Sequence, residues 1–314
     1  MINSRKIKAL EKIAKPLNDR LKECDLCPRN CKIDRFKQKG FCSVGSQMII
    51  YTAFLHTGEE PPLITGKGSG TIFFSGCNLK CCYCQNYKFS HTPEGRIVSE
   101  EECGRIMLNL QKKGAANINL VTPTHYLPLI LNALRIAFKN GLDIPLVYNT
   151  SGYEKTEIIR RLKGIVDVYL ADVKYISGET AGKYSRAENY PFYNQESLRE
   201  MYRQKPAVLD ADTLKEGLIV RHLVLPGHSE ETRQILCWIK KNMPDALVSI
   251  MFQYQPYFEA AKYPEINRIV SLEEFTRIKE LVDELGLPGW VQEYTPEEKL
   301  AGVYFEPLSE DLLE

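Results

Sequence analysis

The chain has 314 residues, of which 44% are hydrophobic, so it is long and apolar enough to bury a sizeable core. Its 41 basic and 40 acidic residues give a formal net charge of +1, which provides no bulk attraction for nucleic acid or a membrane surface. No apolar run approaches the length of a membrane span and the N-terminus has no signal-peptide core, so we expect a cytoplasmic protein. Ten cysteines in a reducing compartment are better explained by metal or redox ligation than by disulfides.

The first cysteine-rich segment carries four thiols, those of Cys24, Cys27, Cys31 and Cys42. A Cys-x2-Cys knuckle followed by a returning Gly-Phe-Cys turn is able to close around one metal site, either zinc or an iron–sulfur cluster, and the sequence does not choose between them. Free cysteines in a small helical appendage are the simpler alternative, although so small and polar a segment would gain much of its stability from a metal. Because four ligands leave no open position, we predict a structural or electron-relay site.

A regular pattern begins after a glycine-rich stretch near residue 66. Apolar runs predict six strands, at 71–75, 118–121, 144–148, 166–173, 218–225 and 247–252, and helical stretches separate them. Capping-box spacing after Ser99 and Ser271 predicts helix starts, while Gly114, Gly141 and Gly164 lie where helices should end. Such alternation predicts a parallel sheet with helical crossovers. We therefore divide the chain into a cysteine-rich segment (1–66), an α/β domain (67–290) and a C-terminal extension (291–314).

Three further cysteines follow the first predicted strand directly. Cys77, Cys81 and Cys84 have Cys-x3-Cys-x2-Cys spacing, and three thiolates bind three irons of a [4Fe-4S] cube while the fourth iron stays open for a substrate or cofactor. A cluster for plain electron transfer usually takes four cysteines. Cys82 lies beside Cys81 and is expected to point elsewhere. The alternatives are a zinc knuckle, which normally has four ligands, and buried cysteines without a metal.

This motif resembles the radical S-adenosylmethionine (SAM) superfamily. Tyr83 before the last cysteine, with the flanking Phe-Ser-Gly-Cys-Asn-Leu and Cys-Gln-Asn, is more narrowly similar to the pyruvate formate-lyase activating enzyme branch. The resemblance covers roughly 24–256 and implies a partial, open TIM-like (β/α)6 barrel, an α/β fold with its site at the carboxyl ends of the strands, and a small N-terminal cysteine-rich metal-binding appendage. It also implies that the open iron is chelated by the amino and carboxylate groups of SAM, and that Tyr83 packs near the adenine.

Polar residues near the ends of later strands complete the predicted site. The two-residue strand period puts Asp172 and Lys174 on one face, entering the barrel mouth together, with a surface ion pair as the alternative. Arg221 stands in an apolar strand, where a charge must be paired or face a cavity. The resemblance implies that Asp172 and Lys174 contact SAM and that Arg221 meets its carboxylate. It also places Asn149 at the same cavity, although ordinary turn chemistry would explain an asparagine there.

The end of the second predicted strand departs from the family pattern. Relatives carry Gly-Gly-Glu-Pro there to hold the SAM amino group, whereas this chain has Thr-Pro-Thr-His at 122–125. Backbone carbonyls and the hydroxyls of Thr122 and Thr124 are the remaining acceptors for an ammonium. His125 faces either substrate or solvent. His222 follows Arg221, so it is expected on the outer face of its strand, bonded to a helix.

These features predict a radical SAM enzyme. A donor such as flavodoxin or ferredoxin would supply one electron, SAM would be cleaved to methionine and a 5'-deoxyadenosyl radical, and the radical would take a hydrogen from the substrate. The resemblance suggests a glycine of a partner glycyl-radical protein, and a small molecule or peptide is the alternative substrate. Rivals from other classes are a two-cluster electron-transfer protein, which would not need the polar lining at later strands, and a nucleic-acid-binding zinc protein. Neutral charge and the lack of interleaved aromatic and basic repeats weaken the last rival.

Overall fold

The computed structural model describes residues 2–210, 213–295 and 302–313. Within them the strands are β1 (Met48–His56), β2 (Ser69–Phe74), β3 (Arg96–Val98), β4 (Ile118–Val121), β5 (Leu146–Thr150), β6 (Val168–Asp172), β7 (Val208–Asp210), β8 (Thr213–Leu223), β9 (Leu247–Met251) and β10 (Gly289–Val291). The α-helices are α1 (Ile2–Asp19), α2 (Tyr87–Ser90), α3 (Glu100–Lys112), α4 (Leu127–Lys139), α5 (Thr156–Arg161), α6 (Gly178–Ser185), α7 (Tyr190–Gln204), α8 (Ser229–Asn242) and α9 (Leu272–Leu285).

The main sheet is open. Its order is β10-β9-β8-β6-β5-β4-β2-β1-β3, and β7 pairs only with β8. From β2 to β10 each neighbouring pair along this order is parallel, while β1 is antiparallel to both β2 and β3. The six predicted strands correspond to β2, β4, β5, β6, β8 and β9, which lie side by side. The predicted open α/β architecture is therefore confirmed, with β1, β3 and β10 added at its edges.

Local signals set the helix boundaries. The side chain of Ser99 accepts from the Glu102 amide at 3.1 Å, and the Glu102 carboxylate accepts from the Ser99 amide at 2.7 Å, so the predicted capping box is present at the start of α3. The same reciprocal pair starts α9 at Ser271. Gly114 and Gly141 follow α3 and α4 with φ of +97° and +96°, a left-handed conformation that ends a helix at low cost to glycine.

One hydrophobic core joins segments that the sequence analysis separated. It includes Leu10 and Leu17 of α1, strand residues of the α/β domain, and Leu312 and Leu313 near the end of the described chain. The sheet already begins at β1, because apolar residues of this strand pair with β2. The predicted boundaries at 66 and 290 therefore do not divide the core, although 296–301 and 314 of the predicted extension lie outside the described residues. Across the described ranges, no helix is long and apolar enough to cross a membrane.

Candidate active site

A cavity of about 180 Å³ lies at the carboxyl ends of the parallel strands. The loop after β2 forms one wall, and residues that end or follow β4, β5, β6, β8 and β9 form the others. The structure brings to this cavity all of the residues predicted for the cluster and SAM, namely Cys77, Cys81, Tyr83, Cys84, Asn149, Asp172, Lys174 and Arg221. Ligands of open α/β sheets bind at this edge, where several loops converge.

Each of the three cavity thiols has a hydrogen-bonding partner. These are the Leu79 amide for Cys77 at 3.3 Å, the Ser185 hydroxyl for Cys81 at 2.9 Å and the Ser90 hydroxyl for Cys84 at 3.2 Å. Among the described residues, no three Cys, His, Asp or Glu side chains are arranged to hold a single metal ion. A [4Fe-4S] cube is larger than one ion and takes each thiolate on a different iron, so three neighbouring thiols with hydrogen-bonding partners are a donor set that fits it.

Cys82 is set apart from these thiols. It is buried, and it does not line the cavity. Its backbone is fixed on both sides, because its amide donates to the Tyr184 carbonyl at 2.8 Å and its carbonyl accepts from the Glu259 amide at 2.8 Å. This placement agrees with the expectation that Cys82 points elsewhere.

A chain of hydroxyl groups connects Tyr83 to Cys81. The hydroxyls of Tyr83 and Tyr175 are 2.6 Å apart, and those of Tyr175 and Ser185 are 2.7 Å apart. Ser185 then donates to the Cys81 sulfur. Tyr175 and Ser185 were not predicted as site residues, because neither belongs to the cysteine motif. The chain ties the aromatic residue of the motif to one of its thiols through buried groups.

Arg221 is held by two neighbouring strands. Its Nε donates to Asp172 Oδ1 at 2.9 Å and its Nη2 donates to Asn149 Oδ1 at 2.7 Å, while Lys174 Nζ donates to Asp172 Oδ2 at 2.7 Å. The parallel register places Asp172 opposite Arg221. The side chains of Asp172 and Lys174 are only 13% and 20% exposed, so they form a pair within the cavity and not a surface ion pair. Asn149 lies inside β5, so turn chemistry does not explain it.

Electrostatics keep this group ionised. Burial alone would raise the pKa of Asp172, but Arg221 and Lys174 offset it and leave the pKa below its ordinary value. Burial would lower the pKa of Arg221 and Lys174, and the neighbouring carboxylates raise both above their ordinary values. Asp172 is the carboxylate that hydrogen-bonds to both cations, while Glu59 and Glu60 lie 3.9 Å from Arg221. Two cations on one hydrogen-bonded carboxylate are able to bind a further anionic group such as the carboxylate of an amino acid.

A second cavity of about 450 Å³ adjoins the first. The two share seven residues in their walls, among them Asn149, Arg221 and Gln253. The larger cavity is also lined by Glu59 and Glu60, from the segment between β1 and β2. Its volume is in the range of small-molecule sites, roughly 300–1,000 Å³. The role of Glu59 and Glu60 in this cavity was not predicted from the sequence.

The end of β4 carries local strain. Thr122 has φ of +58°, and it lines the first cavity. A β-branched residue is rarely found in the left-handed region, and such strain concentrates at functional sites. Thr124 is buried, and its hydroxyl donates to Glu154 Oε1 at 2.5 Å. Glu154 is itself buried and does not line the cavity. The Thr124 hydroxyl, one of the two predicted acceptors for an ammonium, is thus engaged in a hydrogen bond outside the cavity.

The two histidines considered in the sequence are both buried. His125 lies 2.8 Å from the Ser75 carbonyl through Nε2, and burial lowers its pKa to about 3. It therefore faces neither the cavity nor solvent, which corrects both expectations for this residue. His222 lies 2.7 Å from the Val173 carbonyl through Nδ1 and 3.0 Å from the Thr232 hydroxyl through Nε2. Thr232 belongs to α8, so the structure places His222 against a helix, as expected.

The four N-terminal cysteines also lie close together. Burial, reinforced by the neighbouring thiols, raises the pKa of Cys27 and Cys42. The Phe41 amide donates to Cys31 Sγ at 3.5 Å, and Arg35 donates to Cys24 Sγ at 3.7 Å. Sharp turns bring the thiols together, with left-handed φ of +45° at Asn30, +55° at Lys32 and +69° at Ser43. In this group too, the described side chains are not arranged to hold a single metal ion.

The two cysteine loops pack directly on each other. A Cβ at Gly76 would lie 2.6 Å from the Cys42 carbonyl oxygen, so the close approach requires glycine. Lys80 donates to the Ser43 hydroxyl at 2.9 Å, and Arg29 donates from Nε to the Asn78 carbonyl at 2.8 Å. Two cations therefore lie where the loops meet.

The chain is similar to known proteins in both sequence and fold. The model of the radical SAM superfamily matches residues 71–237, which include most of β2, the three cavity thiols, β4 to β8 and most of α8. The chain is 35% identical over 276 residues to the uncharacterized protein MJ0674 of Methanocaldococcus jannaschii, covering 85% of this chain and 76% of that protein. The chain belongs to the radical SAM superfamily.

Two further similarities are more distant. The chain is 26% identical over 176 residues to the uncharacterized protein MJ0808 of the same organism, covering 50% of this chain and 51% of that protein. It also resembles the structure of Streptococcus suis SuiB, with a TM-score of 0.50, 13% identity, and coverage of 73% of this chain and 51% of that chain. The chain thus spans about half the length of MJ0808 and SuiB. At this identity the likeness to SuiB concerns the fold.

Proposed function

We propose that this radical SAM enzyme uses Cys77, Cys81 and Cys84 to hold a [4Fe-4S] cluster, with SAM in the first cavity and a substrate in the adjoining one. The observation that carries the proposal is the convergence of three thiols and an ionised Asp–Lys–Arg group on one cavity. When bound and reduced, the cluster and SAM together supply a 5'-deoxyadenosyl radical that abstracts hydrogen.

The residues of the chain bind and shield the cofactor in this proposal. Arg221 and Lys174 supply positive charge for the SAM carboxylate, and Tyr83 supplies an aromatic surface for the adenine. Thr122 lines the cavity at the strand end where an ammonium acceptor is needed. Apolar side chains in the walls, among them Leu79 and Leu223, exclude water from the reacting atoms.

The adjoining cavity is the proposed substrate site, because hydrogen transfer requires the target carbon close to the radical. Its volume of about 450 Å³ favours a small molecule or a short peptide segment. A glycine of a partner glycyl-radical protein, which the motif resemblance suggests, would have to enter the same space as a chain loop. Co-purification of such a partner would favour it. A flavodoxin or ferredoxin is the proposed electron donor.

We also propose that Cys24, Cys27, Cys31 and Cys42 bind a second metal centre, zinc or an iron–sulfur cluster. The grouped thiols, the hydrogen bonds to two of their sulfurs and the left-handed turns between them support this. Direct packing of this loop on the loop after β2 would suit an electron relay if the metal is iron.

The decisive experiment for the enzyme is anaerobic incubation of the iron-reconstituted protein with SAM and dithionite. We expect 5'-deoxyadenosine from the parent protein and none from the Cys77→Ala/Cys81→Ala/Cys84→Ala variant, which should also lose about four irons per chain. Cys82→Ala is the matched control and should keep both iron and activity. Cleavage that persists in the triple variant would overturn the assignment.

The N-terminal centre is tested by metal analysis of Cys24→Ala. Loss of about four irons relative to the parent would identify a cluster, and loss of about one zinc would identify a structural zinc site. Cys237→Ala, on α8 and outside both thiol groups, is the matched control. An unchanged metal content together with an unchanged melting temperature would remove the proposed second centre.

A further inference from the structure

The larger cavity contains a buried pair of carboxyl groups. Glu60 is 7% exposed, and its carboxyl lies beside that of Glu59. Both are near one cation, since Arg221 Nη1 lies 3.9 Å from an oxygen of each. That distance is too long for a hydrogen bond, and Arg221 is already bonded to Asp172 and Asn149. Arg221 therefore compensates the two carboxyls only partly.

One oxygen of this pair has no partner. Glu60 Oε2 is buried and makes no hydrogen bond, although Glu60 lines the cavity. A buried polar atom without a partner costs free energy, and it calls for an explanation such as a bound ligand. His56, also in the cavity wall, does not supply the missing positive charge, because burial lowers its pKa.

We infer that this cavity binds a positively charged amine of the substrate, an alkylammonium carried by a small molecule or by a lysine side chain of a peptide, with Glu60 and Glu59 as its partners. The inference rests on the proposed function for its claim that the occupant is the substrate. The ammonium group that the cavity recognises is the same in a small molecule and in a lysine side chain.

The other walls fit the body of such a ligand. Phe73 and Phe305 lie with their ring centroids 4.9 Å apart, and Trp290 lines the same cavity. Aromatic faces attract cations and pack against methylene groups. An ammonium suits the site because it is a compact cation whose N–H groups can be divided between two neighbouring carboxyls, whereas a guanidinium prefers both oxygens of one carboxylate.

The acid–base state of the pair provides a second readout. Burial, partly offset by Arg221 and reinforced by Glu59, raises the pKa of Glu60 to about 8. Glu59, Arg221 and His56 are the titratable groups that face it. An ammonium favours the ionised carboxylate, so binding below pH 8 must displace a proton. Affinity should therefore rise with pH, by up to about tenfold per unit, and level off above pH 8 while the amine remains protonated.

The test is calorimetric titration of the cluster- and SAM-loaded protein, without reductant, with n-pentylamine and with acetyl-Gly-Lys-Gly-amide. The neutral counterparts are n-pentanol and acetyl-Gly-norleucyl-Gly-amide. We expect at least one amine to bind at pH 8.5, its neutral counterpart to bind about tenfold or more weaker, and Glu60→Gln to lose that preference. The amine that binds separates the small-molecule source from the peptide source. Glu101→Gln, on the exposed face of α3, is the matched control.

Several outcomes would overturn the inference. They are binding of neither amine, equal binding of amine and neutral counterpart, or undiminished amine preference in a folded Glu60→Gln variant. If that variant fails to fold, Glu59→Gln and the pH dependence of the parent protein decide in its place, and an affinity that does not change between pH 6.5 and 8.5 counts against the inference. Failure of the parent to cleave SAM on reduction would instead overturn the proposed function, because the titration needs no turnover.

Discussion

Arg221 links the two cavities through its partners. On one side it bonds to Asp172 and Asn149, and on the other it approaches Glu59 and Glu60 without bonding to either. An anionic cofactor group on the first side and a cationic substrate group on the second would therefore both change the field that this guanidinium experiences. The same side chain is thus both a structural and a binding residue in the proposed site.

Arg221→Met tests both parts of that role. The substitution keeps the packing of the stem and deletes the charge, leaving Asp172 with Lys174 alone. We expect the free energy of unfolding to fall by about 3 kcal/mol, the low end for breaking a buried pair, and SAM affinity to fall by about ten- to a hundred-fold. Chemical denaturation and titration with SAM measure the two effects.

Arg5→Met, on the exposed face of α1, is the control for charge removal. A folded, four-iron Arg221→Met protein with unaltered SAM affinity would remove Arg221 from the cofactor site, even if its stability were lower.

Ser185→Ala probes the hydrogen bond to the Cys81 sulfur. Hydrogen bonds to cluster sulfurs favour the reduced, more negative state, so losing this donor should shift the midpoint potential of the bound cluster to a more negative value. Redox titration followed by electron paramagnetic resonance measures the shift. Ser4→Ala, on α1, should leave the potential unchanged. A shift to more positive values, or none, would contradict the assigned role of Ser185.

At the scale of the elements, hydrophobic periodicity predicted the centre of the sheet better than its edges. The strands β2, β4, β5, β6 and β9 and the second half of β8 are largely buried by helices and by neighbouring strands, so they read as mostly apolar runs. β3 and β10 have three residues each, too few to show a period. β1 is long and apolar, yet it lies in the segment that the cysteine pattern suggested was a separate appendage. Its membership depends on pairing with β2, which is a tertiary fact.

Ser99→Ala tests whether the capping box stabilises α3. The substitution leaves the Glu102 amide without its side-chain acceptor. We expect a loss of about 1 kcal/mol in the free energy of unfolding, measured by urea denaturation. Ser99→Thr keeps the hydroxyl and should retain most of the stability. Equal losses in the two variants would show that the hydroxyl is not what stabilises the helix start.

At the scale of the whole molecule, some residues of the site belong to recognisable sequence patterns, and others belong to it only because of how the chain folds. The cysteine spacing and the charges in apolar strands are local patterns. Together with the family resemblance they indicated the eight residues predicted for the cluster and SAM, and these eight line the first cavity. Glu60 stands in a polar stretch, Gly-Glu-Glu-Pro, that reads as a solvated loop, and Glu154 follows an ordinary turn. Both are buried because distant parts of the chain cover them. Local patterns carry no signal for such burial.

Glu154 gives the molecule a pH-dependent stability. Burial raises its pKa to about 7 despite hydrogen bonds from Thr124, Thr150 and Tyr148, against an ordinary value of 4.5. The native state therefore holds a proton that the unfolded chain releases above pH 4.5, and the stability from this proton is lost as pH rises towards 7. The full effect is about 3 kcal/mol, from about 1.4 kcal/mol per pKa unit.

Glu154→Gln should remove this share of the pH dependence, so that the free energy of unfolding falls less between pH 5 and 7 than in the parent. Chemical denaturation at successive pH values measures it. Glu60 contributes a similar loss up to pH 8, which remains in this variant. Glu101→Gln should leave the parent profile intact. An unchanged profile in Glu154→Gln would show that this carboxyl is ionised throughout.

The hydroxyl chain from Tyr83 to Cys81 also has a direction. A sulfur that carries negative charge only accepts, so Ser185 donates to it and in turn accepts from Tyr175, which accepts from Tyr83. All three protons then point towards the sulfur, and the Tyr83 oxygen presents lone pairs to whatever lies beside it. A neutral thiol would allow the row to reverse. The charge on one sulfur thus sets the hydrogen-bonding character of an oxygen three groups away, and it does so without moving a heavy atom.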